Sequence, residues 1–317
     1  MKQKSNISKI LKEYGIIFVL IFVVAFFGIM KSEFLTVSNF FTIMKQTSVV
    51  AICGVGMLLV LITAGINLSV GFMISATGMF CAIFMVWWGM NPILAVILVF
   101  IIMMLVGAIE GIIIAYANVA PFIATLAFLN ILKGISFLIT DGRSISDLPD
   151  SFTMIGTGYL WIIPMPLVLM GVALLIGYII LKKMYIGRYF FAIGSNEEAA
   201  RLSGINVPLV KVMTYVLSSF FATFAGIVLL ARVKTASPTT GTAYELDVIT
   251  ACVLGGVSMA GGSGKTYQVF IGSMLIAVLN NGLIMMQVSE YIQVILKGLV
   301  LLLAVMYDSM QKNKKTK

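Results

Sequence analysis

Histidine is missing from this 317-residue chain, and charge is scarce, with Asp, Glu, Lys and Arg together making up 10% of it. Without imidazole, His-based acid–base catalysis is excluded and the commonest metal ligand is gone. The three cysteines, Cys53, Cys81 and Cys252, all lie in apolar runs, far from any zinc-ligand spacing. No serine stands beside a paired base, and no close carboxylate pair is present. Glu245 and Asp247 are two residues apart at a helix start, where capping of the helix dipole explains them. These absences speak against an enzyme.

What the chain has in abundance is apolar side chains, 61% of all residues, well outside the usage of soluble domains. A spanning helix needs roughly 20 apolar residues, because the hydrocarbon core of a bilayer is about 30 Å thick. Ten candidate runs meet or approach that length: Tyr14 to Met30, Val49 to Ala64, Val70 to Gly89, Pro92 to Tyr116, Pro121 to Ile139, Leu160 to Leu181, Val212 to Ala231, Val248 to Ala260, Tyr267 to Met286 and Tyr291 to Met306. The basic start MKQKSNISKILKEYG resembles a signal peptide's charged region. The apolar run after it, however, continues to Met30 and then Lys31 and Glu33 without a small-residue cleavage site, so it is read as the first span. The expected fold class is therefore an all-α, polytopic membrane protein of about ten transmembrane helices, one domain over 1–317.

Lys and Arg favour the cytoplasmic side of short loops. With ten helices and both termini inside, fourteen cationic residues fall on the cytoplasmic side: Lys2, Lys4, Lys9, Lys12, Lys182, Lys183, Arg188, Arg201, Lys211, Lys265, Lys312, Lys314, Lys315 and Lys317. Five fall outside, at Lys31, Lys45, Arg143, Arg232 and Lys234. The net charge of +9 is thus a topological signal, and leaves little for a nucleic-acid partner to explain.

Two polar stretches separate helices. Residues 140–159 (TDGRSISDLPDSFTMIGTGY) are expected as an outward-facing loop. Residues 182–211 fall inside and contain a short helix signal from Glu197 to Ser203. Ser195 or Asn196 can cap it, Glu197 and Glu198 suit the positive end of its dipole, and Gly204 suits a left-handed C-terminal residue. The small face of Ala199, Ala200 and Gly204 beside charged residues fits either a solvated connector or a surface that a second protein grips. Gly- and Ser-rich breaks occur near the membrane in both halves, at Thr63 to Gly71 (TAGINLSVG) and before the short span that ends in GGVSMAGGSG. Interrupted segments of this kind point to the substrate region of a transporter.

GGSGKT at Gly261 to Thr266 looks like the end of a phosphate-binding loop. That pattern needs glycine where Met259 stands, and a strand before it, where the sequence is helical and apolar. A cytoplasmic turn is the expectation, with no nucleotide site on this chain. Glu110, Lys133 and Lys297 lie within apolar spans, where a charge costs at least about 2.5 kcal/mol at the bilayer centre and so faces protein, water or a partner. Lys133 and Lys297 can also snorkel or hold helices together. Asn118, Asn130, Asn280 and Asn281 add amides at membrane depth, suited to an uncharged polyhydroxylated solute but equally to helix–helix adhesion.

Several long stretches resemble the permeases of bacterial ABC importers for ribose and similar monosaccharides, which are related to branched-chain amino-acid permeases. They are ITAGINLSVG (Ile62 to Gly71), PFIATLAFLNILKGISFLITDGRSI (Pro121 to Ile145), GRYFFAIGSNEEAARLSGINV (Gly187 to Val207), YELDVITACVLGGVSMAGGSGKT (Tyr244 to Thr266) and NNGLIMM (Asn280 to Met286). The resemblance implies a homodimeric permease in the bacterial inner membrane, fed by a secreted or periplasmic sugar-binding protein. It implies separate ATPase subunits that hold ATP and Mg, and no cofactor in this chain. It also implies that the segment around 187–207 is a cytoplasmic coupling helix, with Gly194, Asn196, Glu197, Glu198, Ala199, Ala200, Arg201 and Gly204 at the ATPase interface. Asn67, Ser69, Glu110, Asn118, Phe122, Thr125, Asn130, Asn280 and Asn281 are the candidates for the substrate pathway. Two departures stand out: the family usually has Asp where Asn67 stands and Asn where Glu110 stands. Other cargoes, such as a signalling furanose, another pentose or hexose, or a nucleoside, fit the same architecture. A transporter or channel that needs no ATPase is the competing class.

Overall fold

The structure, a computed structural model, describes residues 2–313, with side chains described from 16 to 306. The charges counted at Lys2, Lys4, Lys9, Lys12 and Lys312 lie outside the described side chains. Those at Lys314, Lys315 and Lys317 lie outside the described residues altogether.

The chain is helical almost throughout. In order come α1 (Lys2–Met30), α2 (Val37–Ile62), α3 (Val70–Ala82, continued by a π-turn over Ile83–Trp87), α4 (Pro92–Tyr116), α5 (Pro121–Thr140), α6 (Asp150–Thr157), α7 (Met165–Lys182), α8 (Tyr185–Ser195), α9 (Glu197–Leu202), α10 (Val207–Val233), α11 (Tyr244–Leu254), α12 (Thr266–Met285) and α13 (Glu290–Asn313). A two-residue hairpin, β1 (Tyr159–Leu160) with β2 (Ile163–Pro164), is the one sheet among the described residues. Helices dominate because a bilayer offers no partner for backbone polar groups, so each spanning segment satisfies its own. Proline sits in the first turn of α4, α5, α7 and α10, where its missing N–H costs nothing.

By length and composition seven described helices suffice to cross a membrane: α2, α3 with its π-turn, α4, α5, α7, α10 and α12. The other three expected spans coincide with α1, α11 and α13, so the count of ten is loose. In α1 the described apolar part, Ile16–Met30, is shorter than a full crossing. Helix α11 has 11 residues, about 16 Å at about 1.5 Å per residue, roughly half the hydrocarbon thickness. Several ends also moved: α2 begins twelve residues before the predicted Val49, and the loop at 140–159 contains α6.

Helix α2 is the centre of the bundle, buried at every residue from Thr47 to Ile62. Helices α3, α7, α10, α11 and α12 all pack on it or on its neighbours. Its two ends define two faces of the molecule. At the start of α2, Arg232 Nη1 donates to Lys45 O at 2.6 Å, and Lys45 Nζ donates to the Tyr159 hydroxyl at 3.3 Å. Ile145 pairs with Ala236 in an antiparallel bridge at this end, so the 140–159 stretch is anchored to the end of α10. At the far end of α2, Ile62 meets α8 and the loop 255–265. Gly262 N donates to Ile62 O at 2.9 Å.

Candidate functional site

A polar knot forms where α2 gives way to α3. After Ile62 the chain leaves the helix through Thr63–Ser69, and the side chain of Asn67, fully buried, supplies the hydrogen bonds that the broken backbone lacks. Its Oδ1 accepts from Ser69 N at 3.0 Å and from Ser69 Oγ at 2.6 Å. Its Nδ2 donates to Ser218 Oγ on α10 at 3.1 Å. Ser69 Oγ also lies 3.2 Å from Glu110 Oε2, so Asn67 and Glu110 share one hydroxyl. Asn67 and Glu110 are therefore partners in a single network that holds one amide and one carboxyl.

Glu110 arrives there through glycine spacing. Gly107 and Gly111 let α4 touch α10 at close range: a methyl on either would press into Ser219 and Tyr215 O, or into the Val212 backbone. This small-xxx-small approach carries Glu110, between the two glycines, into the interior, where it is fully buried. Two buried polar atoms in this region, Glu110 Oε1 and Tyr215 Oη, have no hydrogen-bond partner. Thr125 on α5 closes one side, its Oγ1 donating to Ile66 O at 3.3 Å.

The second interrupted segment reaches the same place. Gly241 N donates to Ser75 Oγ at 2.6 Å, and Gly71 and Gly241 are in backbone contact, with the Glu245 carboxyl lying over Gly71. Glu245 Oε2 is buried and unpartnered. The N-terminal ends of α3 and α11, both shorter than their neighbours, thus meet beside Asn67 and Ser69. Helix N-termini carry exposed N–H groups and partial positive charge, which suits oxygen-rich ligands.

Asn280 and Asn281 belong to a different cluster. Asn280 Nδ2 donates to Asp247 Oδ2 at 3.5 Å, and the same oxygen pairs with Lys297 Nζ at 3.0 Å. Asn281 Oδ1 accepts from Asn39 Nδ2 at 3.0 Å. Lys297 thus holds α13 to α11. The remaining candidates are not gathered. Asn118 is exposed in a left-handed turn after α4 (φ +53°), Phe122 is exposed on α5, and Asn130 donates to its own helix at Leu126 O, 2.9 Å. Lys133 stands on the exposed side of α5 with its ammonium 5.7 Å from the centre of the Phe72 ring.

The cytoplasmic segment expected around Glu197 is α8 followed by α9, and α8 was not foreseen. Asn196 has extended backbone and caps α9, its Oδ1 accepting from Ala199 N at 2.9 Å. Arg201 reaches Glu197 at 3.5 Å and Glu198 at 3.3 Å, and Lys211 reaches Glu197 at 2.8 Å. Ala200 is buried, Glu198, Ala199, Arg201 and Gly204 are exposed, and Gly204 is left-handed (φ +83°). Gly194, at the end of α8, lies directly against Ile62 O and the Gly262 backbone; a side chain there has no room. Helix α8 is therefore in backbone contact with the end of α2, five residues before Asn67.

Sequence reading missed Ser218, Tyr215, Ser75 and the Gly107/Gly111 pair. The four-residue glycine spacing around Glu110 was the one available signal.

The assembly is a polytopic helical membrane protein with interrupted helices meeting at a buried polar centre. A family described as branched-chain amino acid transport system / permease component matches residues 39–305. The chain is 42% identical to the ribose import permease protein of Haemophilus influenzae, covering 98% of this chain and 97% of that one. It is 39% identical to the ribose import permease protein of Bacillus subtilis over 92% and 90%, and 33% identical to the D-allose transport system permease protein of Escherichia coli over 97% and 94%. No solved structure matches. The chain belongs to this family of transport permeases.

Proposed function

We propose that this chain is the permease subunit of an ATP-driven importer that moves ribose, or a monosaccharide close to it, across the bacterial inner membrane. The observation that carries the reading is similarity along nearly the whole of both chains to ribose import permeases from two distant bacteria. The buried centre is compatible with such a cargo. It presents amide, hydroxyl and carboxyl groups, with Glu110 Oε1, Tyr215 Oη and Glu245 Oε2 unpartnered, and a sugar supplies hydroxyls that satisfy either donors or acceptors.

In this reading two copies of the chain form the pathway, with both termini cytoplasmic and the 140–159 loop outside. A periplasmic or secreted sugar-binding protein delivers solute to the outer face. Separate ATPase subunits, which hold ATP and Mg, dock on the segment 187–207. Closure of the ATPases pushes on Gly194 to Gly204. The contact of Gly194 with Ile62 then carries that push into the Thr63–Ser69 break, shifting Asn67 and Ser69 against Glu110. Asn67, Ser69, Glu110 and Thr125 line the pathway at this centre; Asn280 and Asn281 border it on the α11–α12 side. Phe122, Asn118 and Asn130 reach solute only if the second copy or the moving α5 covers their face. No group on this chain forms or breaks a covalent bond of the cargo.

The test is uptake of labelled ribose by vesicles that contain the permease, its ATPase and its binding protein, alongside thermal stabilisation of that binding protein by a panel of sugars. ATP-dependent ribose uptake and stabilisation by ribose are expected. Stabilisation by an unrelated solute alone refutes the cargo, and uptake by the permease without ATPase refutes the class.

A further inference from the structure

A recess outside the polar centre lies between the C-terminal half of α7, the start of α12 and helix α8, and Gly264 in its lining sits against Leu58 and Ile62 of α2. Its volume is about 700 Å³, within the range of about 300–1,000 Å³ typical of ligand clefts. Leu175, Leu181, Phe191 and Phe270 form its apolar wall, and Lys182 and Lys265 stand at its rim. Gly177 on α7 lies against Val55 of α2 and Thr266 of α12, so the three helices are in contact beside the recess. Lys182 is the last residue of α7, and Lys265 caps α12. They therefore sit at one membrane face, whichever face that is. Lys265 Nζ is held 3.4 Å from the Tyr267 hydroxyl and 5.4 Å from the centre of its ring.

We propose that this slot binds one anionic phospholipid, its phosphate between Lys182 and Lys265 and an acyl chain along Leu175 and Phe270. The division of the recess into a greasy shaft and a cationic rim matches the two halves of such a lipid, and basic pockets between spanning helices are how membrane proteins hold anionic headgroups. Depth argues against a soluble protein as the occupant. Leu174, which also lines the slot, lies eight residues before Lys182, about 12 Å into the hydrocarbon at about 1.5 Å per residue. A second copy of the chain packed here around a twofold axis would bring its own two lysines towards the same rim. The proposal requires that α7 and α12 cross the bilayer; it is independent of the cargo.

The three native cysteines are buried, so Leu175→Cys gives a single labelling site in the slot. The full-length chain carrying an environment-sensitive dye there is reconstituted into vesicles of brominated phosphatidylglycerol or brominated phosphatidylcholine mixed with unbrominated lipid. Half-quenching is expected at a several-fold lower mole fraction of phosphatidylglycerol. Lys182→Gln and Lys265→Gln are each expected to reduce that preference by about fivefold. Raising salt from about 0.1 M to about 1 M, where screening shortens to about 3 Å, weakens it in the chain with both lysines and needs no variant to fold. Equal quenching by the two lipids, a preference that survives both substitutions or high salt, or no quenching by either lipid because a protein covers position 175, overturns the proposal.

Discussion

The buried centre around Ser69 and the exposed helix α9 are both built from amides, carboxyls and hydrogen bonds, yet they obey opposite energetics. At the centre, Asn67, Ser69 and Glu110 are fully buried, so a deleted partner leaves another polar group unsatisfied at about 1–3 kcal/mol. On α9 the side chains of Glu197, Glu198 and Arg201 remain 42%, 67% and 57% exposed, and ion pairs in water contribute about 0–1 kcal/mol. Stability therefore resides in the centre. The charges of α9 are nearly free to serve recognition, because water will take them if the fold does not.

The largest expected effect lies where the two regions connect. Gly194→Val drives a branched side chain into Ile62 O and the Gly262 backbone, neither of which can move aside. We expect about 3 kcal/mol of destabilisation and loss of ATP-driven uptake, checked by thermal melting in detergent and by vesicle transport. Retention of both would show that α8 and α2 are mechanically independent, and would dissolve the link between the regions.

Next is the exchange between Asn67 and Glu110. Asn67→Asp alone sets two carboxyl groups on one buried hydroxyl, and Glu110→Asn alone leaves none; each is expected to cost about 2 kcal/mol. Made together, they restore one carboxyl and one amide, and the cycle should show about 1–2 kcal/mol of coupling in melting experiments. Additive losses would mean that the two side chains do not act as a unit.

A smaller effect is expected at Lys297, which is 31% exposed while its partner Asp247 is 13% exposed. Lys297→Met should cost about 1–2 kcal/mol, less than for a fully buried pair, and Asp247→Asn in the same chain should recover most of it. Simultaneous Glu197→Gln, Glu198→Gln and Arg201→Gln should change the melting free energy by less than about 1 kcal/mol and reduce ATP-coupled uptake at least about tenfold. Normal coupling in that triple variant removes α9 from the mechanism.

Much of this arrangement was legible beforehand. The cap at Asn196, the acidic first turn of α9 and the left-handed Gly204 are local devices, and each was found where the residues placed it. The break at Thr63–Gly71 was legible because Gly, Asn and Ser interrupt an apolar run. The sorting of the asparagines was not. Asn67 is an interior hub, Asn281 joins two helices, and Asn130 folds back on its own backbone facing out. Nothing in their neighbours distinguishes them, because spans that are apolar on every side show no polar face to mark the interior.

The sequence by itself determined a membrane-embedded helical chain, the positions of its breaks and caps, and its kinship, because those depend on composition and on residues a few positions apart. Only the tertiary structure decided that Asn67, Glu110 and Ser218 share one network, that the starts of α3 and α11 meet at Gly71 and Gly241, and that Gly194 touches Ile62. These are contacts between helices. In a lipid solvent, the choice of neighbour rests on close glycine approaches and a few hydrogen bonds rather than on a hydrophobic pattern that can be read along the chain.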